Sequence, residues 1–125
     1  MFQDDFIMRE IENLSRFLAR ILFQKKADEF DFIDDEGNVL REGLLKYKLT
    51  NLLADGKINE AENILFDEMD SYYSEMLIMV ALGFYDELSK LSDERLEECD
   101  FSREEILEGM KQVSKYGHFE GLAEI

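Results

Sequence analysis

Ten consecutive residues, Met76 to Tyr85, read Met-Leu-Ile-Met-Val-Ala-Leu-Gly-Phe-Tyr and carry no charge. A helix that is apolar at every angle must be covered from several sides. Membrane spanning takes about 20 such residues. The run therefore predicts a central helix, from about Tyr72 to Leu91, wrapped by other elements of a globular domain. Gly83 inside it costs about 1 kcal/mol relative to alanine, and a close helix crossing there is the expected compensation.

The flanking sequence supplies the wrapping helices. Ile7, Ile11, Leu14, Leu18 and Ile21 recur at spacings of 4, 3, 4 and 3 within Phe2 to Lys26. At about 100° per residue they form one stripe, with Arg9, Arg16 and Arg20 on nearly the opposite face. Lys25 and Lys26 suit the last turn of that helix. Residues 28–38 crowd six carboxylates among Phe30, Phe32 and Ile33 and close on Gly37-Asn38, which predicts an acidic loop. A second helix is expected from Val39 to Ala54, stopped by Asp55-Gly56. A third starts near Asn59, whose spacing to Glu62 is that of a capping box. Ser92 to Cys99 makes a short helix. Ser102-Arg103-Glu104-Glu105 is a capping box, with Phe101 and Ile106 as its hydrophobic staple. The last helix ends at Gly117, and His118 to Ile125 has room for one more turn or two.

The expected architecture is all-α: a compact bundle of about six antiparallel helices, with no β-sheet. One domain covers 1–125, comprising a long amphipathic helix at 1–27, the acidic loop at 28–38 and helical hairpins from 39 to 125. Proline is absent and only 7 of 125 residues are glycine, which argues against a turn-dense β fold. A hydrophobic fraction of 46% argues against a disordered acidic tail.

Charge narrows the function. The formal net charge is −16, with −5 in residues 1–65 and −11 in residues 66–125. Such a field repels phosphates and anionic membranes, so neither direct nucleic-acid binding nor membrane binding is expected. The single cysteine, Cys99, forbids an internal disulfide, and no secretory signal opens the chain, which suggests a cytoplasmic setting.

Catalytic and metal patterns are poor. Asp55-Gly56-Lys57-Ile58 with Glu62 imitates half of a calcium loop, but Leu53 stands where a ligand is needed. His118 and Cys99 together make at most half a zinc site. Cys99 between Glu98 and Asp100 is poorly placed for nucleophilic chemistry. No phosphate-cradling or nucleophile-elbow motif occurs. The expectation is a non-enzyme with no cofactor and no metal. Met69, Met76 and Met79 are read as core, with an adaptable groove as the alternative.

Residues 56–61, Gly-Lys-Ile-Asn-Glu-Ala, resemble the turn of a tetratricopeptide repeat. The resemblance covers residues 40–73 and implies an antiparallel hairpin. Leu49, Glu68 and Tyr73 depart from the repeat pattern. Lys90 and Arg95 stand where a second copy would need its glycine and alanine, so no tandem array is visible. The opening Phe-x-Asp-Asp-Phe-Ile-Met-Arg-x-Ile-Glu, the Ile58–Leu65 stretch and the closing Phe-Ser-x-Glu-Glu-Ile-Leu resemble a family of small bacterial all-helical proteins of unknown function. That resemblance implies an intracellular protein without assigned catalytic residues.

The function expected is protein–protein interaction or self-association. The first-helix face supplies the candidate partner-binding residues: Ile7, Ile11, Leu14 and Leu18, rimmed by Arg9, Arg16 and Arg20. Packing of that stripe within the chain competes with a two-helix seam across a homodimer. The alternative is an acidic mimic of nucleic acid that binds a basic protein through Glu94, Glu97, Glu98, Asp100, Glu104, Glu105 and Glu108.

Overall fold

The computed structural model describes residues 2–24 and 33–118, without the side chains of 2–4, 18, 19 and 21–24. Lys25, Lys26, the first part of the acidic loop and the segment after His118 lie outside the described residues. Six helices follow one another: α1 (Phe2–Gln24), α2 (Arg41–Ala54), α3 (Ile58–Ser71), α4 (Glu75–Ser89), α5 (Asp93–Glu98) and α6 (Arg103–Tyr116). No strand occurs among the described residues. The only pairing outside helices there is one antiparallel bridge between Ile33 and Val39.

That bridge moves the start of α2 from Val39 to Arg41. Asp34 folds the segment back by accepting from the amides of Glu36 and Asn38, both at 2.9 Å, and Gly37 takes a φ of 85°. Val39 is thus committed to a small hairpin before the helix begins. At the other end of α2 the expected stop is present. Gly56 has a φ of 77°. The amide of Lys57 donates to Leu52 O at 2.8 Å and that of Gly56 to Leu53 O at 3.0 Å, which closes the helix in a Schellman motif. The three-residue connection makes α2 and α3 an antiparallel hairpin.

The third helix starts without the predicted cap. Lys57 is its N-cap and gives no side-chain hydrogen bond. Asn59 instead donates to Asp100 O at 3.0 Å, and Glu62 accepts from Tyr85 at 2.7 Å. Both side chains are drawn off by tertiary partners.

Helix α4 is central, as its apolar run requires: it packs against α1, α2 and α6. Eight of its residues are buried, Tyr85 and Leu88 completely. It begins at Glu75 rather than Tyr72, because Tyr72 to Ser74 are extended and Ser74 caps the amide of Leu77. The Tyr116 hydroxyl holds this corner. It donates to Tyr72 O at 2.7 Å and accepts from the amide of Ser74 at 2.9 Å.

The helix crossing expected at Gly83 is absent. Gly83 is exposed, and a Cβ built there meets nothing within 4 Å. The close crossing lies at Gly109 of α6, where a Cβ would run into the Tyr85 ring. The α6 capping box is complete: the Ser102 hydroxyl accepts from the Glu105 amide, and Glu105 accepts from the Ser102 amide at 2.8 Å.

Candidate interaction surfaces

The apolar stripe of α1 turns inward. Ile7 and Ile11 are buried, and Leu14 and Phe17 pack against the same core. Helix α1 lies on α6 and α4, so these side chains serve the domain itself. The Leu18 side chain lies outside the described residues. Arg9, Arg16 and Arg20 are exposed. Arg16 approaches Glu12 at 3.8 Å with both side chains about two-thirds exposed, a geometry worth well under 1 kcal/mol. The structure therefore separates the predicted site into a core row and a solvated row. A seam across α1 has no unused apolar side chain at Ile7 or Ile11.

A different face is open. Between α2 and α4 runs a cleft of about 690 Å³. Leu49, Leu53, Met79, Val80, Phe84 and Leu91 line it, with Lys46 and Thr50 on the α2 wall and Asp86 and Glu87 on the α4 wall. Gly83 sits in the α4 wall. Its missing side chain leaves a gap in an otherwise continuous apolar surface. Elsewhere on α2, outside the cleft lining, Tyr47 is 70% exposed and Leu44 60% exposed. Met79 belongs to this surface while Met69 is buried, so the methionines divide between groove and core. The sequence signal for this site was Gly83 in an apolar helix.

A second groove, of about 770 Å³, joins α5 to the start of α6. Asp93, Glu94, Glu97, Asp100, Glu104 and Glu105 rim it, with Met8 at one side. Arg103 is its one cation, and it is spent internally. Its guanidinium donates to Ser89 O at 3.1 Å, Leu91 O at 2.7 Å and Asp93 at 3.0 Å. Glu98 faces Arg95 at 3.3 Å, and Glu105 belongs to the capping box. Glu108 is exposed on α6.

Two polar clusters hold the helices that carry these surfaces. Arg41 forms a forked pair with Glu68, both hydrogen bonds at 2.8 Å, and its guanidinium lies 4.4 Å from the Tyr72 ring centre. The hydrogen bond from Arg41 lowers the Glu68 carboxyl below its ordinary range. Burial, aided by Glu42 and Glu68, pushes the Tyr72 phenol up to about 12. At the α3–α4 contact the half-buried Glu62 carboxyl is raised, chiefly by burial and further by Glu105, while the hydrogen bond from Tyr85 opposes the rise. A carboxyl raised by folding contributes stability below its unfolded value and loses it as pH climbs through the folded one. Glu62→Gln keeps an acceptor for Tyr85 and removes the titration. Its stability relative to wild type is expected to grow from about pH 4 to about pH 7. Urea melts across that range check this, and a difference that shrinks with rising pH contradicts it.

Cys99 and His118 lie apart. Cys99 is buried, its Sγ close to Gly56, whereas the His118 ring is 6.0 Å from that of Tyr73 beyond the end of α6. Among the described residues no group of three His, Cys, Asp or Glu side chains has the geometry to hold a metal ion. No helix among them is long and apolar enough to cross a membrane. Comparison with known proteins found no match among curated proteins and none among solved structures. The model of a family of unknown function, DUF6483, matches residues 1–117. The match spans all six helices, and the chain belongs to the DUF6483 family.

Proposed function

We propose that this protein is a non-catalytic, cytoplasmic interaction module that docks a protein through the α2–α4 cleft, with the tetratricopeptide-like α2–α3 hairpin as one wall. The observation that carries the reading is the open apolar cleft around Gly83. Concave, mostly apolar clefts of this size are the usual places where a protein takes up a ligand group. The separation of Cys99 from His118 supports the non-catalytic part.

The second reading, an acidic mimic that binds a basic protein, draws on the groove rimmed by Asp93, Glu94, Glu97, Asp100, Glu104 and Glu105. High acidity also serves plain solubility. Photo-crosslinking in cells separates the two. A crosslinking side chain at Leu53 or Met79 is expected to give discrete adducts of fixed mass, and one at Glu94 or Glu104 none. Adducts confined to Glu94 and Glu104 would transfer the function to the acidic groove. No adduct at Leu53 or Met79 would retire the cleft.

A further inference from the structure

We draw no further inference here: the strongest candidate, the open apolar stretch of the α2–α4 cleft around Gly83, carries nothing beyond the docking reading already given, because nothing in the structure shows what covers it.

Discussion

Gly109→Ala is expected to destabilise the fold by about 3 kcal/mol, although alanine is the better helix former. The added methyl would occupy the space of the Tyr85 ring. That ring has nowhere to go. Tyr85 is fully buried, packs edge-on against Phe84 at 5.1 Å and is tied to Glu62 by its hydroxyl. Helix propensity returns about 1 kcal/mol, while overpacking costs about 1–3 kcal/mol and more where the neighbour is pinned. Displacing the ring would forfeit a large buried aromatic, a loss on the scale of 3–5 kcal/mol. Packing therefore outweighs propensity. Tyr85→Leu should couple favourably with Gly109→Ala, whereas Tyr85→Phe, which keeps the ring, should not. Urea unfolding of the three single variants, the two double variants and wild type reads this directly. A Gly109→Ala protein as stable as wild type would show that α6 does not cross α4 at this point.

Arg103→Ala carries the second large effect, a loss of about 2 kcal/mol. The guanidinium is 18% exposed and binds three acceptors at once. Two are carbonyls at and just beyond the end of α4, where no further helical amide satisfies them. The charge–charge contact with the 83% exposed Asp93 contributes little by itself. The carbonyls are what suffer when Arg103 goes. Arg103→Lys should recover less than half, since a point charge cannot reproduce the fork. Asp93→Asn should cost well under 1 kcal/mol. A reversed order, with Asp93→Asn the more damaging, would refute this assignment.

These two positions show where sequence reasoning stops. The α6 capping box was legible because Ser102 and Glu105 are three residues apart. The six helices were legible because apolar spacing reports which side faces a core. What spacing cannot report is which helix lies on that side. Asn59 and Glu62 have cap spacing, yet their partners, Asp100 and Tyr85, are 41 and 23 residues away. Val39 continues the apolar pattern of α2 but is taken by Ile33. Of the glycines in α4 and α6, Gly83 stands out in an apolar run and Gly109 does not, yet of the two it is Gly109 that is crossed. The α1 stripe was read correctly as apolar. Its assignment to a partner rather than to α4 and α6 was open to sequence alone, and the structure places Ile7 and Ile11 in the core.

The same asymmetry locates the candidate site. A bundle that uses Gly109 for its tightest crossing and leaves Gly83 bare has a surplus glycine on its surface. Around it stand the partly exposed Leu53, Met79 and Leu91, over a floor of buried Leu49, Val80 and Phe84. The central claim is that the α2–α4 cleft receives a protein partner. The most direct measurement is photo-crosslinking in cells from Leu53 and Met79, which line that cleft, with Phe6, Met8 and Glu104 as comparison positions. Discrete adducts of fixed mass are expected from Leu53 and Met79. Adducts found only from Phe6 and Met8 of α1, or only from Glu104 in the α5–α6 groove, would contradict it.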